Sequence, residues 1–188
     1  LLIDAERGLE NRNLIPYGSL REPASQWIRA DAIIVTKANI SSADAVSEIL
    51  KKELKVTCPV FNFNFEAQGF YRLDGEDRQQ IQHLAGKNLV TVSGIAQPDG
   101  FRKMLENLEG NLIGSLEFAD HHDYSKYDVH KILKKQNELN PDYIVTTEKD
   151  AVKLRQFPEL SNSVWILEIE VHPEESWNAF FEKFLDTL

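Results

Sequence analysis

The chain has 188 residues, of which 42% are apolar and 27% are charged, and its formal net charge is −9. This balance is typical of a globular domain and excludes a disordered chain, while the acidic charge argues against a nucleic-acid binder, which needs clustered Lys and Arg. The single cysteine, Cys58, excludes an internal disulfide and a cysteine-cluster metal site, and no apolar run reaches the roughly 20 residues that span a bilayer.

The chain opens inside a predicted strand. Leu1-Leu2-Ile3-Asp4 has the pattern of the second half of a buried strand, and Leu1 is not an initiator Met. Because natural domains seldom begin within a core strand, we expect a further segment to precede this one. A loop rich in Gly, Asn and Pro follows at residues 5–23.

Strand and helix patterns then alternate, which predicts an α/β fold with a mostly parallel sheet. The predicted strands are residues 1–4, 32–36, 89–93, 112–118, 143–146 and 164–171. The predicted helices are residues 24–30, 43–54, 98–108, 125–140, 149–154 and 173–188. Ser41 or Ser42 can cap the helix at 43–54.

Two units are expected. Residues 56–65 alternate aromatic and polar side chains, and together with residues 69–73 they predict a two-stranded ribbon. We expect the ribbon to join residues 1–73 to residues 74–188, and the second unit to contain its own small parallel sheet. The last helix presents one apolar stripe, which we expect to be core: Trp177, Phe180, Phe181 and Phe184.

The first candidate binding segment is Gly18-Ser19-Leu20-Arg21-Glu22-Pro23. The planar guanidinium of Arg21 suits bidentate binding of phosphate or carboxylate, and Glu22 can orient Arg21 or accept sugar hydroxyls. Pro23 before an apolar helix adds a helix N-terminus, which favours anions. The structural alternative is an Arg–Glu pair that closes a surface loop.

The second candidate segment, Ala119-Asp120-His121-His122-Asp123, directly follows a predicted strand. A histidine held by a carboxylate can transfer protons near neutral pH, and clustered His and Asp can instead bind a divalent ion. Adjacent histidines point in different directions along an extended chain, so we do not expect both to serve one site. A histidine with structural partners at a strand end is the alternative.

Two further segments follow strands. Thr147 with Asp150 three residues later resembles a capping box, and Lys149 between them is a candidate phosphate ligand. Gly94 leaves a strand and precedes a helix that begins at Pro98, so its loop can approach a ligand with backbone amides. No Gly-rich phosphate loop and no dinucleotide Gly fingerprint occur in the sequence.

Taken in order, these segments resemble the tetraacyldisaccharide 4'-kinase family from Leu1 to about Lys153. The resemblance rests on the joint order and spacing of modest motifs. They are Leu2-Ile3-Asp4-Ala5-Glu6-Arg7-Gly8-Leu9, Leu20-Arg21-Glu22-Pro23, Arg29-Ala30-Asp31-Ala32, Leu84-Ala85-Gly86-Lys87, Phe118-Ala119-Asp120-His121-His122 and Thr147-Glu148-Lys149-Asp150-Ala151-Val152-Lys153.

The resemblance implies transfer of phosphate from Mg-ATP to the 4' hydroxyl of a tetraacylated glucosamine disaccharide 1-phosphate, giving lipid IVA in lipid A biosynthesis. It implies part of a P-loop kinase core, a two-stranded linker and a smaller Rossmann-like α/β subdomain. The implied ATP and Mg ligands, and a segment that associates with the cytoplasmic face of the bacterial inner membrane, would all precede residue 1. We therefore expect this chain alone to be inactive.

By position, His121 matches the family histidine thought to support a catalytic aspartate, with Asp120 beside it. Arg21 and Glu22 match residues of the substrate-facing loop. Thr147 and Lys149 keep the phosphate-binding or structural role that their own spacing suggests. The chain departs from the family pattern in its loops, at Glu10, Arg12, Ser19 and Ala96-Gln97.

Two alternatives remain at this point. Asp120-His121-His122 also resembles the metal-dependent DHH-type phosphoesterases, although three residues are a weak signal. A non-catalytic domain that binds acidic glycolipid would share the same anion-binding residues. The remaining motifs of the chain favour the kinase, since a phosphoesterase would not share them.

Overall fold

The structure is a computed structural model that describes residues 1–9, 13–18, 20–40, 43–54 and 56–187. The expected helix caps Ser41 and Ser42, and the loop departures Glu10, Arg12 and Ser19, lie outside these residues. Contacts divide the chain into two compact units, residues 1–66 with 171–188 and residues 67–170.

The first unit contains a parallel sheet in the strand order β1-β2-β3. Its strands are β1 (Leu2–Asp4), β2 (Ile33–Thr36) and the first half of β3 (Val60–Arg72). Ile33 and Val35 of β2 are fully buried, as expected for a central strand of a parallel sheet. Registers such as Ile3 beside Val35 place the carboxyl ends of β1 and β2 at the same edge.

Short helical segments cover this sheet. A 3-10 helix, Ala24–Arg29, precedes β2, and α1 (Ala43–Glu48) continues into a π-helical turn, Ile49–Glu53. The helix predicted at 43–54 is therefore present with a wider last turn. Its buried residues Val46 and Leu50 pack in the core of the unit with Trp27.

The last helix, α5 (Glu175–Leu185), packs against β3 within the first unit. The ring centroids of Trp177 and Phe180 lie 5.2 Å and 4.9 Å from that of Phe61. Phe181 is nevertheless 42% exposed, so the expectation that the whole stripe is core is wrong. The stripe is only half covered because the helix packs on the aromatic side chains of one strand. These contacts also place residues 171–188 in the first unit, which differs from the expected division at residue 73.

The second unit contains four parallel strands in the order β8-β7-β5-β6, and β4 lies outside this order. Its strands are β4 (Arg78–Gln80), β5 (Asn88–Ser93), β6 (Asn111–Glu117), β7 (Tyr143–Thr147) and β8 (Val164–Pro173). The connecting helices are α2 (Pro98–Asn107), α3 (Lys126–Leu139) and α4 (Glu148–Leu154). Fully buried Val90, Val92 and Ile166 lie in the core of this sheet, as the apolar strand patterns predict.

The expected two-stranded ribbon from residues 56–65 and 69–73 is wrong, because β3 runs unbroken through both segments. Residues 69–71 of β3 instead pair antiparallel with β4. Gly69 allows this close approach, since a Cβ atom there would lie 3.1 Å from the carbonyl oxygen of Gln79. The chain passes from one unit to the other within β3 and again within β8.

None of the helices in the described parts of the chain has both the length and the apolar character that crossing a bilayer requires.

Candidate functional site

In the second unit, three loops meet at the carboxyl edge of the parallel sheet. They follow β5, β6 and β7, which are adjacent and parallel, so their carboxyl ends point the same way. Ligands of open parallel sheets gather at this edge. Gly94 lies in the loop after β5, Asp120 and His121 lie in the loop after β6, and Thr147 is the last residue of β7. The structure therefore brings together three of the four candidate segments.

Asp150, the third residue of α4, joins these loops. Its Oδ1 accepts hydrogen bonds from the backbone amide of Gly94 and from the hydroxyl of Tyr124, both at 3.0 Å. Its Oδ2 accepts from the hydroxyl of Thr147 at 2.7 Å. Asp150 is only 3% exposed, so these donors replace the water that the buried carboxylate has lost.

Tyr124 acts as a donor in this network. Burial and the nearby Asp150 carboxylate raise the pKa of the Tyr124 hydroxyl well above its usual range. The hydroxyl therefore stays protonated and keeps its hydrogen bond to Asp150. We assign it a structural role for that reason.

Gly94 occupies a position with no room for a side chain. An added Cβ atom would lie 3.0 Å from Asp150 Oδ1, 3.1 Å from the Tyr124 hydroxyl and 3.3 Å from the carbonyl oxygen of Ala119. Gly94 thus allows the loops to pack closely, and its backbone amide donates to the Asp150 carboxylate.

His121 is displayed to solvent on a left-handed turn. Its φ is +60°, and its side chain is 74% exposed. The backbone amide of His121 donates to the carbonyl oxygen of Gly94 at 3.1 Å. The imidazole Nε2 lies 3.8 Å from Asp120 Oδ2. A solvent-exposed imidazole beside a carboxylate can take up and release protons for a bound ligand.

Asp120 is itself held by α4. Lys149 Nζ donates to Asp120 Oδ1 at 2.8 Å, and this hydrogen bond lowers the pKa of Asp120. The carboxylate therefore stays ionised beside His121. Lys149, a candidate phosphate ligand, has a structural partner here.

Thr147 caps α4, as its spacing to Asp150 predicts. The Thr147 hydroxyl accepts from the backbone amide of Asp150 at 3.2 Å. In addition to the Thr147 hydroxyl, the Asp150 carboxylate accepts hydrogen bonds from Gly94 and Tyr124. The motif thus both begins the helix and joins the loops.

His122 points away from His121 and into the protein. Its Nε2 lies 3.1 Å from Asp128 Oδ2, and its ring stacks on Phe118 with centroids 4.8 Å apart. The two histidines have separate partners, as expected, but the cause is the left-handed backbone at His121 and not an extended chain.

Asp128 completes the structural surroundings of His122. It forms a capping box with Ser125 at the start of α3, and Ser125 Oγ donates to Asp128 Oδ2 at 2.7 Å. Burial opposes ionisation of Asp128, but the hydrogen bonds from Ser125 and His122 outweigh it and lower the pKa of Asp128.

Lys153 is a residue of this site to which the sequence patterns assigned no role. Its Nζ donates to the carbonyl oxygens of His121 and His122 at 2.7 Å and 2.8 Å, and to Asp123 Oδ1 at 3.0 Å. The available signal was helical spacing. Lys149 and Lys153 are four residues apart, so a helix that begins at Thr147 places both ammonium groups on one face.

No group of three or more His, Cys, Asp or Glu residues within the described ranges is arranged to hold a metal ion. The two carboxylates near His121 form ion pairs, Asp120 with Lys149 and Asp123 with Lys153. The geometry therefore gives the metal-dependent phosphoesterase alternative no support.

In the first unit, Arg21 and Glu22 line a cavity of about 640 Å³ that runs along β1 to its carboxyl end. Arg7 and Trp27 also line it. The Glu22 carboxylate accepts from Arg29 at 2.6 Å, a partner that the sequence patterns did not indicate. The reason is local: the 3-10 helix turns Arg29 back towards the loop that contains Glu22.

An ion cluster lies at the same edge of the first unit's sheet. Lys37 Nζ lies 3.0 Å from Asp4 Oδ2 and 2.8 Å from Glu6 Oε2. Partial burial opposes it, but the hydrogen bonds to Glu6 and Asp4 raise the pKa of Lys37. Asp4 also lines the cavity, so the cluster fixes one wall of it. Sequence patterns missed Lys37, although it directly follows a predicted strand.

Comparison with known proteins points to one family. The family described as LpxK, tetraacyldisaccharide-1-P 4'-kinase, matches residues 1–186. A tetraacyldisaccharide 4'-kinase of Bdellovibrio bacteriovorus is 35% identical over 171 residues, covering 91% of this chain and 50% of that protein. One from Syntrophus aciditrophicus is 33% identical over 187 residues, covering 94% and 50%.

A solved structure agrees with these sequence matches. The crystal structure of the "apo" form of LpxK from Aquifex aeolicus in complex with ATP superposes with a TM-score of 0.58 and 25% sequence identity. The superposition covers 95% of this chain and 49% of that one. The chain thus spans about half the length of the relatives it matches.

Proposed function

The chain belongs to the tetraacyldisaccharide-1-P 4'-kinase family, and from this we propose that it forms part of a lipid kinase. The proposed reaction transfers the γ-phosphate of ATP to the 4' hydroxyl of a tetraacyldisaccharide 1-phosphate and gives lipid IVA, a step of lipid A biosynthesis. The observation behind the proposal is the family match over residues 1–186. We place the reaction at the cytoplasmic face of the bacterial inner membrane, where the family resemblance puts it.

The activity is assigned to the complete gene product that contains these residues. The chain covers half of its relatives' length, and its sequence has no Gly-rich phosphate loop. The described residues also include no group arranged to hold Mg²⁺. We therefore assign no ATP or Mg²⁺ ligands to this chain and expect it to be inactive by itself.

The chemistry sets what the chain's residues must do. The 4' oxygen bonds to the γ-phosphorus, the bond to the oxygen bridging the β- and γ-phosphates breaks, ADP leaves, and a base takes the hydroxyl proton. Such a reaction depends on positioning and charge neutralisation more than on covalent catalysis.

We assign proton handling to His121 and Asp120. The exposed imidazole on its left-handed turn is available to a ligand, and the ionised Asp120 lies 3.8 Å away. In this proposal His121 supports the family's catalytic aspartate, which accepts the 4' proton and is a different residue from Asp120. Asp120 orients the imidazole. Lys149 holds Asp120 by a hydrogen bond, and Thr147 donates to Asp150, whose carboxylate also holds Gly94 of the neighbouring loop.

Substrate binding is assigned to the cavity of the first unit. Arg21 supplies a guanidinium for a phosphate of the disaccharide, and Glu22, held by Arg29, supplies acceptors for sugar hydroxyls. The overall charge of −9 does not prevent this, because a local cation can bind an anion on an acidic protein.

A direct assay tests the proposal. The complete gene product is incubated with ATP, Mg²⁺ and tetraacyldisaccharide 1-phosphate, and the lipid is analysed by mass spectrometry. We expect a gain of one phosphate on the 4' side of the disaccharide and formation of ADP. Loss of the existing 1-phosphate in place of this gain would support a phosphoesterase. Lipid binding with no change in either substrate would support a glycolipid-binding domain.

A further inference from the structure

Lys153 lies on α4 with its ammonium group over the turn that displays His121. An ammonium has three N–H donors, and the structure gives Lys153 three acceptors at 2.7 Å, 2.8 Å and 3.0 Å. Two of them are consecutive backbone carbonyls, those of His121 and His122. The side chain is 33% exposed, so these bonds are partly shielded from water.

The turn at His121 requires such support. A non-glycine residue with φ near +60° costs roughly 1–3 kcal/mol and persists only where its surroundings hold it. The amide of His121 is held by the carbonyl of Gly94, and the carbonyl of His121 is held by Lys153. Both peptide groups of the residue are therefore fixed from neighbouring elements, while the imidazole is 74% exposed to solvent.

We propose that Lys153 is a positioning residue that holds His121 in its left-handed conformation and so aims the imidazole at the ligand. This inference rests on the proposed function, in which His121 handles a proton. Lys153 then acts through the backbone and touches neither the substrate nor the reacting atoms.

The ion pair with Asp123 does not explain the position of Lys153. The side chain of Asp123 is 97% exposed, and ion pairs this exposed contribute little. The carbonyls of His121 and His122 impose direction on the ammonium, because a carbonyl oxygen accepts best near its lone-pair directions. Substituting Asp123 therefore separates the ion pair from the contact with the turn.

The test uses steady-state kinetics of the complete gene product. Lys153→Met keeps the length of the side chain and removes its donors. We expect kcat to fall about ten- to a hundredfold, with little change in the KM for ATP. Lys153→Arg retains donors and is expected to recover part of the loss. Asp123→Asn, and Lys134→Met on the exposed face of α3, are the matched controls and are expected to behave as wild type.

A double-mutant cycle distinguishes positioning from general damage to the fold. If Lys153 acts through His121, then Lys153→Met causes no further loss of kcat in a protein that already has His121→Ala. An equal loss in both backgrounds overturns the proposal, as does wild-type kcat for Lys153→Met alongside a reduced kcat for His121→Ala.

A conformational measurement keeps the test independent of activity. With isotope-labelled histidine, the Cα and Cβ chemical shifts of His121 report its backbone conformation. We expect left-handed shifts in the unsubstituted protein and altered shifts in Lys153→Met; unchanged shifts overturn the proposal. Absence of kinase activity in the unsubstituted protein would overturn the proposed function, and the histidine shifts would still decide the role of Lys153 in the turn.

Discussion

The carboxylate of Asp150 accepts a hydrogen bond from the backbone amide of Gly94, 56 residues earlier in the chain, at 3.0 Å. This bond joins the loop after β5 to the start of α4. The backbone amide of His121 donates a hydrogen bond to the carbonyl oxygen of the same glycine. The position of the exposed imidazole therefore depends on a buried carboxylate that it does not touch.

The hydroxyl of Tyr124 is expected to stabilise this arrangement. Tyr124→Phe removes one of the donors to the buried Asp150 carboxylate, so we expect a loss of about 1–3 kcal/mol in the free energy of unfolding. Tyr127→Phe is the control, because Tyr127 is 68% exposed and its ring is retained. Urea denaturation measures both variants. Equal stabilities would show that the hydroxyl bond to Asp150 contributes nothing.

Asp128 is expected to make stability depend on acid pH. Its pKa is lowered in the folded protein, so its ionised form stabilises the fold above the ordinary Asp pKa of about 3.9. That contribution is lost as the pH falls towards the folded-state pKa. We expect Asp128→Asn to lower the melting temperature near neutral pH. On acidification below about pH 4, we expect the melting temperature of the variant to fall less than that of wild type.

Thermal denaturation at a series of pH values measures this effect. Asp31→Asn, which removes one exposed carboxylate, controls for the change in net charge. Parallel curves for wild type and Asp128→Asn would contradict the role assigned to the hydrogen bonds of Ser125 and His122.

His121→Ala is expected to reduce kcat of the complete gene product by roughly a hundredfold, since proton transfer by a positioned side chain typically contributes that much or more. The KM for ATP should change little, because no ATP contact is assigned to this residue. His130→Ala on α3 is the matched control, since His130 is an exposed histidine outside the three loops. Unchanged turnover in His121→Ala would leave this histidine with a structural role only.

Arg21→Ala is expected to raise the KM for the tetraacyldisaccharide 1-phosphate by about tenfold or more. A hydrogen bond to a charged group is worth about 1.5–3 kcal/mol, and each 1.4 kcal/mol is a factor of ten in affinity. The KM for ATP is the internal reference. Arg102→Ala removes an arginine of the second unit that pairs with Glu117, and it should leave both KM values unchanged. An unaltered lipid KM in Arg21→Ala would remove Arg21 from the substrate site.

Local sequence signals predicted most of the second unit. Runs of β-branched and apolar residues marked β5 and β7, and Thr147 with Asp150 marked the start of α4. These signals act over a few residues, so they are visible without knowledge of the fold. The sequence could equally place Gly94 after a strand, but it could not show that its amide meets Asp150.

The errors arose where distant residues decide the conformation. Residues 56–65 and 69–73 suggested two paired strands, but residues 69–71 pair with β4 and belong to one continuous strand, β3. The partner of Glu22 could not be found from the sequence either, because the 3-10 helix brings Arg29 to it. Lys153 acquires a role only because α4 lies beside the turn after β6, a tertiary relationship that helical spacing alone does not contain.

The passage of the chain through β3 and β8 also affects its biosynthesis. Residues 67–170 form one continuous stretch, whereas the first unit combines residues 1–66 with residues 171–188. On the ribosome, all residues of the second unit, which contains His121, are synthesised before those of α5. Until then, the aromatic residues of β3 that α5 covers remain exposed, and exposed apolar surface favours aggregation or chaperone binding.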